Sequence, residues 1–326
     1  IKNSAPTSDI NATLQGGGQT MNYFVSFNHH QEDGLIEDSN MRRSTLAARI
    51  NSRLNKFFKV GFSSNFGVQD YSQNSMWADS KKTYASNPLV AAKMALPYDA
   101  PYYYSFDEAG NLVKGDRAAG LLYSQFLLPW FTVANTKQDR KNVTINLSLN
   151  EQLTPVEGLT FTALQSLFGY DLTSDRASLP YEQFTTPMGQ VIDAHTGGVA
   201  ADFSRYYAYT LTHTAEFRHN FGPHYVNLLL GEETRIQKGR SFGITSTGQT
   251  DVRRMLLNTA TTITPSAQTD SRSEEVANSL FGTAEYNFKE KYFVYASLRF
   301  DGSSKFAPDH RWGTFGSLGL KWNAKR

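Results

Sequence analysis

The sequence predicts an all-β fold, and more specifically an antiparallel transmembrane β-barrel. Two observations support this prediction: apolar and polar residues alternate along most of the chain, and short connections alternate with long ones. Segment Tyr292–Asp301 illustrates the first observation, because Val294 and Leu298 fall on one face while Arg299 falls on the other. A period of two is typical of strands, whose successive side chains leave a pleated backbone on opposite sides.

The amino-acid composition excludes several classes of protein and of functional site. Of 326 residues, 19% are charged and 13% are aromatic, whereas charged residues usually make up about 25% of a soluble protein. A net charge of +2, without a basic stripe, gives no sign of a nucleic-acid partner. The absence of Cys excludes a disulfide framework, a thiolate metal site and a cysteine nucleophile. The sequence contains no run of about 18 apolar residues, so no membrane-spanning helix is predicted. Strands of a membrane β-barrel would not show such a run, because their hydropathy signal is much weaker.

Four strands are predicted in the first part of the chain, and the second, third and fourth each have an apolar and a polar face. The four strands are Ile10–Gly16, Met21–His30, Arg42–Arg53 and Phe57–Gln69. Arg49, Arg53 and Lys59 fall on the polar faces. Residues 70–141 do not alternate. A short helix is expected there around Trp77–Ala95, where Pro88 suits a first helical turn. An irregular connection of this length is usually functional.

Seven further strands are predicted after residue 141. The clearest has Val143, Ile145 and Leu147 on one face, opposed to Thr144 and Asn146 on the other. The seven are Asn142–Asn150, Leu159–Asp171, Arg205–Asn220, His224–Lys238, Val276–Phe288, Tyr292–Asp301 and Ser317–Trp322. Between them, residues 172–204 and 239–275 are predicted to be long loops. The whole chain therefore contains eleven predicted strands.

The connections between these strands alternate in length without exception. The short ones are residues 17–20, 54–56, 154–158, 221–223 and 289–291, and the long ones are residues 31–41, 70–141, 172–204, 239–275 and 301–311. In an antiparallel sheet this order places every short turn at one end and every long loop at the other. Short periplasmic turns and long extracellular loops are typical of bacterial outer-membrane barrels.

Several stretches, in order along the chain, carry a family resemblance. They are Gly16-Gly17 with Tyr23–Ser26, Asp33–Ile36, Arg42–Ser44 with Ala48–Asn51, Gly158–Phe161, His224–Asn227 and Leu230–Glu233. The most specific is Ser297–Phe306, followed by Arg311–Gly313 and Gly319–Trp322. Together these stretches resemble the SusC/RagA-like TonB-dependent outer-membrane transporters of the Bacteroidota.

The resemblance implies an architecture and a set of partners. The family fold is a 22-stranded barrel with an N-terminal plug and a TonB-contacting segment. Residues 1–326 resemble about half of the barrel, without the plug. The implied activity is TonB-dependent import of glycan oligomers, or of peptides, across the outer membrane. The implied partners are a SusD-like surface lipoprotein and the TonB complex, with no nucleic acid.

The barrel interpretation also predicts what each face of the last strands meets. We expect the face of Val294–Phe300 and Leu318–Trp322 that carries apolar side chains to contact outer-membrane lipid. Arg299 and Asp301 are expected to line the lumen. Two other functions remain as alternatives, namely a passive porin or surface barrel, and a soluble all-β binding protein.

Candidate ligand-binding residues lie in the long loop of residues 70–141. Trp77, Tyr102, Tyr103 and Tyr104 are suited to stack on a sugar or to contact a partner. The same side chains are equally suited to pack the loop onto the barrel. No substrate-contacting residue is implied beyond these four, and no cofactor is expected.

Other polar motifs predict no chemistry. The pairs Glu232-Glu233 and Glu274-Glu275 do not form glycosidase sites, because adjacent strand residues point to opposite faces. The spacing of His213, His219 and His224 matches no common metal-ligand pattern. Residues 301–304, Asp-Gly-Ser-Ser, read as a turn at a strand end. The sequence therefore predicts no catalytic and no metal-binding residue.

Overall fold

The computed structural model describes residues 2–36, 38–73, 102–117, 136–180, 184–185, 191–192, 196–265 and 270–324. Strands dominate these residues, and 3₁₀ turns occur at Leu257–Thr259 and Pro308–His310. The predicted helix around Trp77–Ala95 lies outside the described residues. Among the described residues, no helix is long and apolar enough to span a membrane.

In the described residues, eleven strands follow the predicted order along the chain, and five further short strands lie within the segments predicted to be long loops. They are β1 (Thr7–Gly17), β2 (Met21–Asp33), β3 (Asn40–Arg53), β4 (Phe58–Gln73), β5 (Tyr102–Phe106), β6 (Leu112–Arg117), β7 (Thr136–Val156), β8 (Leu159–Ser178), β9 (Phe184–Thr185), β10 (Val191–Ile192), β11 (Gly198–Phe221), β12 (His224–Thr247), β13 (Thr262–Pro265), β14 (Ser271–Phe288), β15 (Tyr292–Ser303) and β16 (Trp312–Trp322).

One antiparallel sheet contains most of them. Its path is β1-β2-β3-β4-β7-β8-β11-β12-β14-β15-β16, with β13 paired to β12 outside the path. The predicted all-β antiparallel sheet with eleven successive strands is therefore confirmed. In the described part of the chain, β1 and β16 are the two ends of the path, so the sheet is open, as expected for part of a barrel.

Most strands extend beyond their predicted bounds at the long-loop end. Strand β7 has 21 residues, β8 has 20, and β11 and β12 have 24 each. A bilayer crossing needs about 9–11 residues, so these strands continue past the apolar belt. The first residues of β7, from Thr136 to Lys141, are polar on both faces, although their backbone still pairs with β8. Because β2 and β3 also extend at this end, the connection between them comprises only residues 34–39 and is shorter than predicted.

The short turns lie together at the opposite end of the sheet. Two of them use left-handed glycines, Gly158 with φ 85° between β7 and β8, and Gly222 with φ 60° between β11 and β12. Glycine adopts this left-handed conformation readily because glycine has no Cβ. In the turn between β3 and β4, Asn55 Oδ1 accepts hydrogen bonds from the backbone N–H of Phe57 and Phe58.

The sheet has one apolar face, which we call the belt face. Register partners across it include Leu147, Leu167 and Tyr209. Leu230 is 69% exposed in the interior of the sheet, and Leu320 near its edge is 76% exposed. Large leucines left this open match a surface that contacts lipid. The opposite side, which we call the polar face, carries most of the hydrogen-bonding side chains.

Candidate functional site

The polar face of β3, β4 and β7 forms a surface that we call the amide–basic wall. Its cations are Arg43, Arg49, Arg53, Lys59 and Arg140, and its amides are Asn51, Asn65, Gln69, Gln73, Gln138, Asn142, Asn146, Asn150 and Gln152. The register places Arg49 beside Ser63, and Ser63 beside Ser148, all on this face. The acidic residues of these three strands, Asp70, Asp139 and Glu151, fall on the belt face by the same register.

Three exposed cations of this wall form no ion pair with an acidic side chain of the described residues. In the described part of the chain, no ion pair involves the side chain of Arg49, Arg53 or Lys59. Each of these residues is exposed. Beyond the wall, on β1 and β2, Asp9 is paired with His30 at 3.1 Å. Within the described residues, the positive charges of Arg49, Arg53 and Lys59 are therefore not compensated by an acidic side chain.

A groove of about 330 Å³ opens at the short-turn end of the amide–basic wall. Its polar lining consists mainly of Asn22, Asn51, Arg53, Lys59, Asn150 and Gln152. Asn51 Nδ2 donates to Asn22 Oδ1 at 3.1 Å, which orients both amides. A Cβ added to Gly61 would lie 2.8 Å from Asn51 Oδ1, so glycine there makes room for this amide.

The polar face of β12, β14 and β15 is different, and we call it the ion-paired wall. Arg299 Nε donates to Asp301 Oδ1 at 2.6 Å, and its Nη2 lies 3.6 Å from Glu233 Oε1. The same guanidinium donates to Ser279 Oγ at 2.9 Å and lies 5.2 Å from the centroid of the Phe281 ring. The cation here is neutralised by acids of the same protein.

An aromatic cluster lies on the polar face of β8 and β11, between the two walls. Tyr170 and Tyr206 are register partners, and their rings stack with centroids 5.7 Å apart. The ring centroid of Phe168 lies 6.2 Å from that of Tyr206. Tyr206 Oη donates to Gln237 Oε1 at 2.6 Å. Partly open rings with a fixed hydroxyl can stack on a sugar or on an apolar side chain.

The aromatic residues predicted as ligand candidates are only partly visible. Trp77 lies outside the described residues, as does the side chain of Tyr103. Tyr102 is half-buried at the start of the β5–β6 hairpin, with Lys114 Nζ 3.6 Å from its ring centroid. Tyr104 is 47% exposed. The role of these residues stays a prediction.

The glutamate pairs point to opposite faces, as the strand period predicts. Glu232 Oε1 lies 2.9 Å from His213 Nδ1 on the belt face, whereas Glu233 contacts Arg299 on the polar face. Glu274 contacts Lys238, and Glu275 contacts Lys305. Neither adjacent pair can act as two carboxylates of one site.

The three histidines singled out in the sequence do not converge. His213 contacts Glu232, and His219 lies against the rings of Phe217 and Phe221. His224 Nδ1 lies 2.6 Å from Tyr286 Oη. Within the described residues, no group of three His, Cys, Asp or Glu side chains could hold a metal ion.

Carboxylates in the loop regions are held in their charged form by local hydrogen bonds. The side chain and backbone of Asn111 donate to Asp107 and lower the pKa of that carboxyl. Arg253 does the same for Asp251, whose pKa is also lowered. Asp107 is exposed and Asp251 is half-buried, and in both cases the hydrogen bonds stabilise a local turn.

The amide–basic wall was not recognised from the sequence. Alternation identified Arg49, Arg53 and Lys59 as polar-face residues, but their neighbours lie on other strands. The signal that could have found the wall is the lack of Asp and Glu at alternate positions of three consecutive long strands. That signal emerges only after the strands are aligned in register.

Comparison with known proteins identifies a family. The family described as "TonB dependent receptor-like, beta-barrel" matches residues 77–325, which is more than half of the chain. A TonB-dependent receptor, P3, of Formosa agariphila is 24% identical over 99% of this chain and 31% of its own length. The TonB-dependent receptor SusC of Bacteroides thetaiotaomicron is 20% identical over 100% of this chain and 32% of its own length.

Solved structures show the same fold. The RagAB peptide importer in its "open-open" state superposes with a TM-score of 0.75 at 22% identity, covering 97% of this chain and 33% of that chain. A structure of the RagAB peptide transporter gives a TM-score of 0.72 at 21% identity, with 97% and 34% covered. The chain thus spans about a third of the length of the proteins that it matches.

Proposed function

This chain belongs to the TonB-dependent receptor-like β-barrel family, and from that membership we propose that the complete protein imports solutes across the outer membrane. TonB energises the import, and a SusD-like surface lipoprotein delivers the solute at the long-loop end of the barrel. The imported solute is a glycan oligomer, or alternatively a peptide. The family consists of transporters and receptors, so no catalytic step is assigned to any residue.

The observation that carries this proposal is the separation of side chains between the two faces of the sheet. Leu230 on the belt face is 69% exposed, while Arg299, Glu233 and Asp301 form a charged network on the other face. In a transmembrane barrel the first face meets lipid and the second bounds the water-filled lumen. A soluble sandwich would instead bury its apolar face against a second sheet.

Two features of the polar face favour a hydrophilic solute. The amides of the amide–basic wall each offer donors and an acceptor, which matches neighbouring hydroxyl groups of a sugar. The cluster of Phe168, Tyr170 and Tyr206 offers rings for stacking. The solved RagAB complexes are described as peptide importers, and this description supports the peptide alternative.

The long loops supply the remaining candidates for solute or lipoprotein contact. Trp77, Tyr102, Tyr103 and Tyr104 belong to the connection between β4 and β7. Within the β5–β6 hairpin, Tyr104 is 47% exposed and so is open to a partner. Substituting Tyr104 with Ala tests this contact, because a packing role would affect stability rather than uptake.

Uptake by the complete protein tests the proposed function. A strain deleted for the gene is expected to take up fluorescent oligosaccharides or peptides only when the gene is restored, and uptake should stop when TonB is inactivated. Uptake that persists without TonB would identify a passive porin. Recovery of the protein in the aqueous fraction after detergent-free lysis would identify a soluble binding protein. Either result overturns the proposal.

A further inference from the structure

The strongest unassigned feature of the molecule is the uneven distribution of charge over its polar face. In the ion-paired wall, Arg299 contacts both Asp301 and Glu233. In the amide–basic wall, Arg49, Arg53 and Lys59 lie among amides and hydroxyls. Strand β3 has no carboxylate, and the register puts those of β4 and β7 on the belt face. Both walls belong to the same face of one sheet. They therefore differ in which side chains surround their cations and not in which side of the sheet they occupy.

From this asymmetry we infer that the amide–basic wall is a binding site for an anionic solute, specifically an oligosaccharide that carries sulfate or carboxylate groups. Arg49 and Arg53 supply planar guanidinium groups, which bind sulfate and carboxylate oxygens through paired N–H donors. Lys59 is the register partner of Arg53, so two positive charges lie side by side at the groove. The inference rests on the proposed import function and adds a charge preference to it.

The amides around the groove explain why the solute is a sugar rather than an inorganic anion. Asn22 and Asn51 are joined by a hydrogen bond of 3.1 Å, which uses the oxygen of the Asn22 amide and not its N–H groups. Asn150 and Gln152 line the same groove of about 330 Å³. Each amide offers donors and an acceptor, and a row of them complements the hydroxyl groups between two acidic groups of one oligosaccharide.

The spacing of the cations along β3 suits an extended solute. Arg49 and Arg53 are four residues apart on the same face, which corresponds to about 13 Å along a strand. Arg43 lies further toward the long-loop end, beside His30, which is paired with Asp9. An oligosaccharide with repeated acidic groups can therefore contact several cations at once, whereas a single small anion can contact only one or two.

Binding of matched probes by the complete protein tests the inference. The probes are a dextran oligosaccharide and a dextran sulfate oligosaccharide of equal length, which differ only in charge. We expect the purified protein in detergent to bind the sulfated probe at least about tenfold more tightly. The double variant Arg49→Gln, Arg53→Gln is expected to lose most of this preference, and added salt is expected to weaken binding of the sulfated probe.

A control variant separates a local site from a general charge effect. Arg235→Gln removes one exposed cation from the polar face of β12, outside the amide–basic wall. This variant should retain the preference for the sulfated probe. Equal affinity for both probes, or equal loss in the control and in the double variant, overturns the inference.

The test also distinguishes a solute from an acidic segment of the protein itself. If such a segment covers the wall, the double variant shifts the unfolding midpoint and leaves probe affinity unchanged, which contradicts the inference. Uptake of a neutral oligosaccharide is measured in parallel. If TonB-dependent uptake of the neutral probe persists while the charge preference is absent, the proposed function stands and only this inference fails.

Discussion

The amide–basic wall and the ion-paired wall differ in how they compensate their cations. Both belong to the polar face of one continuous sheet, and both follow the same alternation. Arg299 contacts Asp301 and Glu233, whereas Arg49 faces Ser63 and has no acidic neighbour on the polar face of β3, β4 or β7. Alternation determines which face a side chain occupies, and cross-strand partners then decide whether its charge is available to a solute.

The largest effect is expected at Gly158, in the turn that joins the amide–basic wall to the strands of the aromatic cluster. A Cβ at Gly158 would clash with the backbone oxygen of Arg218, and the φ of 85° at this position is unfavourable for alanine. We expect Gly158→Ala to lower the free energy of unfolding by about 3 kcal/mol. The urea midpoint of the complete protein in detergent measures this loss.

Gly222→Ala is the matched control for this turn. Gly222 also has a positive φ, of 60°, but within the described residues no atom beyond its chain neighbours lies within 4 Å of the position that a Cβ would take. The only expected penalty for alanine is then the left-handed backbone conformation, which lowers the free energy of unfolding by about 1 kcal/mol. Equal effects of the two variants would contradict the contact with Arg218 as the cause.

A smaller effect is expected when the two walls are compared directly. Arg299→Met leaves Glu233 and Asp301 without their shared cation, whereas Arg49→Met removes a cation that has no acidic partner among the described residues. The side chains of Arg299, Glu233 and Asp301 are 41%, 35% and 38% exposed, so solvent screens the interaction. We expect a loss of about 1 kcal/mol for Arg299→Met and a change within about 0.5 kcal/mol for Arg49→Met.

Unfolding of both variants at low and high salt measures this difference. Salt should reduce the effect of Arg299→Met, because the partners are partly exposed. If Arg49→Met destabilises the protein as much as Arg299→Met, then Arg49 has a structural partner and the contrast between the walls fails.

The aromatic cluster between the walls gives a third test. Tyr206→Phe removes the hydroxyl that donates to Gln237 at 2.6 Å, leaving the amide oxygen without this donor. The expected cost is about 1 kcal/mol. Tyr209→Phe, whose hydroxyl contacts Gln165 at a longer 3.3 Å, should cost less in the same urea titration. The reverse order would show that the Tyr206 hydroxyl contributes little.

The smallest effect is expected in the β5–β6 hairpin, which belongs to neither wall. The hydrogen bonds from Asn111 lower the pKa of Asp107 below its ordinary value of 3.8. Because the folded pKa is the lower one, the stabilisation is present above pH 3.8 and is lost as the pH falls through the folded pKa. Amide chemical shifts of Ala109 and Asn111 should follow this titration.

Asp107→Asn provides the control for that titration. The variant keeps an acceptor oxygen but has no proton to gain, so the shifts should stay constant over the same pH range. Binding of solute at the amide–basic wall should be unaffected by the substitution. A change in solute affinity would show that the hairpin and the wall are coupled.

The architecture was predictable from local patterns, and the site was not. Alternation such as Val143, Ile145 and Leu147 against Thr144 and Asn146 predicted strand β7, and short turns such as residues 289–291 predicted antiparallel neighbours. The strand ends were missed, since β7 begins at Thr136 rather than Asn142 and β11 at Gly198 rather than Arg205. Outside the apolar belt the two faces no longer differ clearly in polarity, so pairing continues where alternation has stopped.

Local chain chemistry therefore settled the strand period, the order of the strands and the separation of apolar from polar side chains. A strand carries this information in its own residues, because its faces repeat every two positions. The sheet register alone decided that Arg53 lies beside Lys59 and that Arg299 lies beside Glu233. Whether a charge is neutralised or free depends on neighbours from other strands, and only the folded sheet brings them together.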